Sequence, residues 1–499
     1  MTGRDKQNGN NVRGNLYWNT LLRIPSRIFA FVSSIIVARI LMPSDYGIMA
    51  IAMMLVGYAN LFTNLGFNQA IVQKRIKDKK TLDSIFTVDL GISMFLSFLF
   101  FVSAGQIANF FNTPECKKVL QVMSLVFIIT SFHALPHGIL RRDMRFKVFS
   151  IIESFQNLLI ASTTLVLAFL GFGYWSLAYG QLIPLAIIAV FLSITAKWLP
   201  VIYYKHGLMR DVFHFGLWGF GRGQVEFFSR HLDKFIIGKW IGAGSLGFYD
   251  KSMSIAQMPN QSILMNINSV MFSSFSKDKE KKEVLQQQLK KSLALTAIII
   301  YPIYVGLIFV APYFVHALLG DKWTPMILPF QIILVGFLLK SFVGIIANFN
   351  IAVGRYSSHT LRLMVAVVIF FLACVILFRF GLIGVAASFV IFGFSLFILD
   401  ISLAMSYVKL NYLQVVKVLL SGVLPAIVMV CSLSAIDFYF LDKFNLLNLI
   451  FRSFLGAIIY FLLLYFDPVQ TSIEVRKSIL EDIKKKTFSL ILKRNRKDQ

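Results

Sequence analysis

Long apolar runs separated by short polar turns recur along the whole chain. Three examples are "LGISMFLSFLFFVSAG" (90–105), "LALTAIIIYPIYVGLIFVA" (293–311) and "LMVAVVIFFLACVILF" (363–378). A barrel strand would alternate apolar and polar positions over about ten residues. These runs are continuous and approach the roughly 20 residues a helix needs to cross a bilayer. The pattern predicts fourteen helices, near 15–41, 46–70, 82–108, 118–137, 148–170, 175–196, 212–238, 246–272, 292–315, 325–350, 360–379, 383–407, 414–436 and 446–466. Spans seven and eight are weak in hydropathy, so twelve is the alternative count. Either even number puts both termini on one side. The expected fold class is an all-α polytopic membrane protein.

Composition agrees: 57% of the 499 residues are hydrophobic and 15% are charged, against about 45–50% and about 25% in soluble domains. Three scattered cysteines, Cys116, Cys374 and Cys431, offer neither a disulfide framework nor a zinc site. The polar start "MTGRDKQNGNNVRGN" leads into a helix that itself carries arginines, which is not the pattern of a cleavable signal. A net charge of +25 could suggest nucleic acid, but its placement argues for topology. The N-terminus, every second loop and the tail hold 34 basic residues, among them "KRIKDKK" (74–80), "RRDMRFK" (141–147) and "KDKEKK" (277–282); the opposite loops hold six. Basic loops stay cytoplasmic, so both termini are expected inside, with no nucleic-acid partner. The last 33 residues suggest a basic amphipathic helix on the inner leaflet.

No loop is long enough for a soluble catalytic domain. No phosphate-binding loop, paired zinc histidines or nucleophile elbow is present, and no cofactor or metal is implied. A transporter is favoured over an enzyme.

Nine basic residues remain in or beside spans, where a charge at mid-helix costs roughly 2.5–3.5 kcal/mol on insertion scales. In span seven Arg222, Glu226, Arg230, Asp233 and Lys234 share one helical face. Span one carries Asn15, Asn19, Arg23 and Arg27 four apart, with Pro25 as a hinge between the arginines. Span eight adds Gln257, Asn260, Gln261, Asn266 and Asn268. The bland reading pairs Arg222 with Glu226 and Arg230 with Asp233. The functional one lines a net-basic cavity for an anionic, phosphorylated passenger, since the guanidinium fork suits phosphate. Lys251, Arg39 and Arg452, near span ends, are expected to snorkel; Lys340 is undecided. Asp89, Glu153 and Asp400 are candidate coupling or ion-pairing acids.

An internal repeat is legible at an offset of 200: "IVARILMPSDYGIM" (36–49) lies over "IIGKWIGAGSLGFY" (236–249). A second match, "FGYWSLA" (172–178) over "FGLIGVA" (380–386), has an offset of 208. Two six-helix lobes in parallel pseudo-two-fold repeat follow, a layout that places substrate between the halves. The expected organisation is a cytoplasmic tail (1–14), an N-lobe (15–196), a cytoplasmic linker (197–211), a C-lobe (212–407), appended helices thirteen and fourteen (408–466) and a basic tail (467–499).

The stretches "VARILMPSDYGIMAIAMMLVGYANLFTNLGFNQAIVQK" (37–74), "RRDMRFK" (141–147) and "RHLDKFIIGKWIGAGSLGFYDKSMSIAQMPNQS" (230–262) resemble the bacterial polysaccharide transporter family of the MOP exporter superfamily. The likeness is to Wzx-type lipopolysaccharide and exopolysaccharide flippases of the WzxC, colanic-acid-exporter kind. The resemblance implies a MATE-like fold of two lobes around a central cavity. It also implies flipping of undecaprenyl-diphosphate-linked oligosaccharide across the inner membrane by alternating access. Family members are thought to hold the diphosphate–sugar head with cavity cations, which here points to Arg23, Arg27, Arg222, Arg230 and Lys234, with Asn19 beside them. Membrane lipids, a polysaccharide polymerase and a chain-length regulator are the partners this implies. A small-molecule antiporter of the same superfamily and an O-antigen polymerase or ligase are the alternatives.

Overall fold

The computed structural model describes residues 24–63, 67–439 and 445–466. Asn19, Arg23 and both basic tails lie outside the described residues. Every regular element among the described residues is a helix.

The chain divides into two compact units, Met1–Lys251 and Ser252–Gln499. The first contains α1 (residues 24–40), α2 (Pro43–Thr63), a short α3 (Phe67–Gln73), α4 (Lys79–Phe110), α5 (Cys116–Met123), α6 (Leu125–Arg142), α7 (Phe146–Phe169), α8 (Trp175–Ala196) and α9 (His206–Ile236). The boundary falls within α10 (Ala243–Ala256). The second holds α11 (Met265–Lys277), α12 (Lys282–Phe314), α13 (Ile327–Ala352), α14 (Tyr356–Leu377), α15 (Gly381–Val408), α16 (Tyr412–Leu419), α17 (Val423–Tyr439) and α18 (Leu446–Phe466).

Ten helical stretches among the described residues are long and apolar enough to cross a membrane. One of them, Tyr356–Val408, is two helices, α14 and α15, packed together and joined at Gly381, whose φ of +65° no β-carbon tolerates well. The weak hydropathy of spans seven and eight persists: α9, α10 and α11 are outside the ten. Span eight is also interrupted. Pro259 lacks the amide hydrogen an α-helix needs, and the backbone beyond it widens into a π-helical turn, Asn260–Leu264.

Lipid offers little apolar driving force between helices, so close packing and hydrogen bonds hold each unit. In the first unit Phe86 of α4 packs against Phe132 (5.2 Å between centroids) and Trp198 (5.3 Å), among buried Leu82, Ile85, Leu135 and Ile139. Trp198 Nε1 donates to Asp83 Oδ1 at 3.2 Å, and the Tyr203 amide donates to Thr87 Oγ1 at 2.9 Å. The basic linker is thereby laid along α4. The loop "RRDMRFK" is equally fixed. Arg142 Nε and Nη2 reach both oxygens of Asp143 (2.8 and 3.1 Å), while its Nη1 donates to the Ile76 carbonyl. Arg145 Nη1 donates to the Thr195 carbonyl at 3.1 Å.

In the second unit α13, α14 and α15 interlock through aromatic rings, Phe337 on Phe389 (5.1 Å) and Phe370 stacked on Phe392 (4.9 Å). The appended helices are tied to α12. Tyr301 Oη of α12 donates to the Leu419 carbonyl (2.7 Å), and Tyr460 Oη of α18 donates to the Ile298 carbonyl (2.9 Å).

Candidate functional site

The two repeated turns meet. Gly47 near the start of α2 crosses Ala243 at the start of α10, and Gly247 crosses Pro43. A β-carbon on Gly47 would lie 1.7 Å from the Ala243 carbonyl oxygen, and one on Gly247 would lie 1.8 Å from that of Pro43. Residues 43 and 243, 47 and 247 are partners at the offset of 200 read from the sequence. The contact is therefore reciprocal, as a local two-fold requires. Glycine at both positions lets the backbones touch.

Around this crossing the polar helices gather. Lys251 of α10 is only 6% exposed; its Nζ donates to the Ser34 carbonyl of α1 at 3.0 Å and stands 5.1 Å from the centre of the Tyr46 ring of α2. The expectation that Lys251 snorkels is thus corrected: its four-carbon stem reaches inward to a carbonyl rather than outward to water. Arg452 is corrected likewise, being 3% exposed with its guanidinium 4.0 Å above the Tyr313 ring. Arg39 is exposed. Lys340, undecided from sequence, faces the rings of Phe337, Phe389 and Phe392 at 5.1–5.7 Å, an electrostatically attractive arrangement.

The charged face of α9 sorts itself differently from the pairing read in the sequence. Arg230 pairs with Glu226 (Nη2–Oε1 2.5 Å), both well exposed. Asp233 is buried and accepts from Tyr249 Oη at 2.6 Å and from the Lys234 amide at 2.8 Å. Lys234 Nζ pairs with Asp250 Oδ1. Sequence reasoning missed Asp250 and Tyr249 because their partners lie a whole turn and helix away. The signal was available in "LGFYDK", where Tyr249, Asp250 and Lys251 present three polar groups in succession on the repeat. Aromatic rings complete the α2–α9 contact, with Tyr58 5.1 Å from Phe227 and Phe62 5.1 Å from Phe220.

Arg27 and Pro25 of α1 are exposed, and Arg27 makes no hydrogen bond or ion pair with the described residues. Arg222 lies on α9. Asp233 and Lys234 therefore serve the internal frame of the crossing, while Arg27 and the Arg230–Glu226 ion pair are exposed. Asp89 is buried on α4 against the Ser131 hydroxyl of α6, and Glu153 is half-buried on α7. Asp400 belongs to the second unit. In span eight, half-buried Asn260 has a structural role: its Oδ1 accepts from Tyr304 Oη (2.9 Å) and Ser341 Oγ (2.8 Å).

A family model described as "Polysaccharide biosynthesis protein" matches residues 36–328, a stretch that includes both repeated turns. The chain belongs to this family. Among curated relatives of this polysaccharide biosynthesis protein, the succinoglycan biosynthesis transport protein ExoT of Rhizobium meliloti is 27% identical over 320 residues, 64% of each chain. The match thus spans a little under two thirds of that relative. The lipopolysaccharide biosynthesis protein WzxC of Escherichia coli is 22% identical over 349 residues, 68% of this chain and 69% of its own. Among solved structures, the lipid II flippase MurJ in an inward closed conformation has a TM-score of 0.76 at 18% identity, covering 92% of this chain and 99% of its own. An inward-facing multidrug resistance MATE family transporter of the MOP superfamily has a TM-score of 0.58 at 16% identity, covering 78% and 99%. The family member is a multi-pass membrane protein with the fold of these transporters.

Proposed function

We propose that this chain is a flippase that translocates undecaprenyl-diphosphate-linked oligosaccharide repeat units across the bacterial inner membrane by alternating access. The units would serve lipopolysaccharide, capsule or exopolysaccharide synthesis. The observation that carries the reading is the polar crossing of α1, α2, α9 and α10 in a fold shared with a lipid II flippase. Arg27 and the exposed Arg230–Glu226 pair face outward from a frame in which Lys234 is paired with Asp250. Arginine forks suit a diphosphate, and Arg23, Arg222 and Asn19 extend the set along the same two spans. The helices are read as fourteen spans in two six-helix lobes, with residues 408–466 appended and both termini cytoplasmic. Such a transporter needs no cofactor; a polymerase and a chain-length regulator would act on its product.

Cells lacking the gene should accumulate a complete lipid-linked repeat unit that a membrane-impermeant probe cannot reach. Accumulation on the outer face would mean that flipping is intact and would refute the proposal.

A further inference from the structure

Three helices of the second unit meet at a group that the polar crossing does not use. Asp400 of α15 is the sole carboxylate on α13, α14 and α15, and it is 0% exposed. His359, in the first turn of α14, places Nδ1 3.0 Å from Asp400 Oδ1. Asn350 of α13, also 0% exposed, donates from Nδ2 to the main-chain carbonyl of Asp400 at 3.0 Å. These bonds fix both side chains and leave two acceptors, Asp400 Oδ2 and Asn350 Oδ1, buried with no donor. Turning the amide over would not cure this, because its oxygen would then face the Asp400 carbonyl.

A buried acceptor without a donor is unfavourable, and a buried carboxylate oxygen more so. Both orphan oxygens sit on residues that touch each other, and Asn350 occupies the last turn of α13, the negative end of the helix dipole. Oxygens in a field of that sign are the ligands hard cations prefer. Among the basic groups of α12, α13 and the α13–α14 turn, Arg355, Lys340 and Lys282 have partners of their own. Arg355 Nη1 donates to the Leu403 carbonyl (3.2 Å) and to Ser406 Oγ (2.8 Å), with its guanidinium over the Tyr407 ring. Lys340 faces its three phenylalanines, Lys282 of α12 stands over Tyr407, and Arg362 is one turn beyond His359 on α14. On α12 Tyr304 Oη is bonded to Asn260 and the Ala256 carbonyl.

We propose that Asp400, Asn350 and His359 form a binding site for one small monovalent cation, a sodium ion or a proton, held between Asp400 Oδ2 and Asn350 Oδ1. His359 is a positioning residue that orients the carboxylate through its other oxygen. One carboxylate and one amide match a single positive charge, whereas a divalent ion takes a larger oxygen set. The bound cation neutralises the only acid in the three-helix cluster and ties α13 to α15. Its linkage to transport rests on the flippase reading above, but the binding itself does not.

The test uses the purified full-length protein in nanodiscs, with no lipid-linked sugar, so its outcome is independent of that reading. Thermal melting is followed against sodium chloride, with choline chloride as the balance, at fixed pH. It is then followed from about pH 5 to about pH 9 in choline alone, since a ligand that binds the folded state raises the melting temperature saturably. Asp400→Asn keeps the shape, removes the charge and replaces the orphan carboxylate oxygen with an amide donor for Asn350 Oδ1. A sodium-dependent rise that D400N lacks identifies sodium; a rise towards acid that D400N lacks, without a sodium effect, identifies the proton. His359→Gln should weaken the response by about tenfold or more, as loss of a supporting contact to a ligand does, and it serves if D400N does not fold. Wild-type protein that responds to neither titrant overturns the site, and so does a variant whose responses superpose on the wild type.

Discussion

Replacing Gly47 by alanine tests the crossing directly. The new β-carbon would stand 1.7 Å from the Ala243 carbonyl oxygen and 2.5 Å from its carbon, where real β-carbons stay beyond 3.0 Å. The obstacle is backbone, so no side chain can swing aside, and α2 and α10 must part by at least about 1.3 Å. Overpacking of this kind costs about 1–3 kcal/mol, with rigid neighbours at the upper end. A loss of about 3 kcal/mol changes the folded-to-unfolded ratio by on the order of a hundredfold. Gly91→Ala is the matched control: nothing lies within 4 Å of its would-be β-carbon, and alanine in a helix interior gains roughly 0.5–1 kcal/mol over glycine. The assay is equilibrium unfolding of the purified protein in detergent. A second arm uses Gly247→Ala, whose clash is with Pro43 across the same crossing. Once one substitution has parted the helices the other should cost little, so the double variant should fall short of the sum by 1 kcal/mol or more, roughly the coupling seen between contacting residues. If G47A is as stable as G91A, or if the two clashes add, the backbones do not touch and the reasoning fails.

Tyr249→Phe removes a donor from buried Asp233 and should lower stability by about 1–3 kcal/mol; melting of the purified variant at the wild-type temperature would contradict the bond. Arg230→Glu should abolish export while the protein remains in the membrane at normal abundance, and normal export from such a stable variant would remove Arg230 from the substrate path. Asp78 caps α4 by accepting from the Thr81 hydroxyl and amide, and the hydroxyl bond foremost holds its carboxyl below the usual range. A folded-state value below the unfolded one stabilises above about pH 4 and is lost as pH falls through the folded value. Hydrogen exchange over residues 78–85, corrected for intrinsic rate, should therefore rise in acid in the wild type and be raised already at neutral pH in Asp78→Ala. Equal protection in both would exclude the cap.

The rods were legible because apolar length is a local property, readable one window at a time. The repeat was legible for a related reason. Pro43, Gly47, Ala243 and Gly247 keep their spacing because both turns solve one packing problem. Partner choice among charges was not local. Residues spaced three and four apart on α9 suggested Arg222–Glu226 and Arg230–Asp233 pairs, but Arg230 took Glu226, one turn back. Lys234 instead took Asp250 across the turn, because burial there rewards the partner that completes a network over the neighbour in sequence. Lys251 and Arg452 looked terminal by count, yet each had an inward acceptor or ring within reach of a long stem. Asn350, His359 and Asp400 lie on three helices and carry no common spacing, so only tertiary packing could assemble them.

The Arg142 clasp has a meaning for how the chain enters the membrane. It joins Arg142 to the carbonyl of Ile76, 66 positions earlier, with α4 and α6 inserted between the two ends. Both must emerge on the same face before the clasp can close. A copy of α6 threaded the wrong way would leave its arginine a hydrocarbon thickness, about 30 Å, from its acceptor. The positive loop thus acts twice in succession. It first biases which way each helix is threaded, a task any lysine could share. It then inspects the result, and that second task needs the three-pronged reach of a guanidinium holding Asp143 and Ile76 at once.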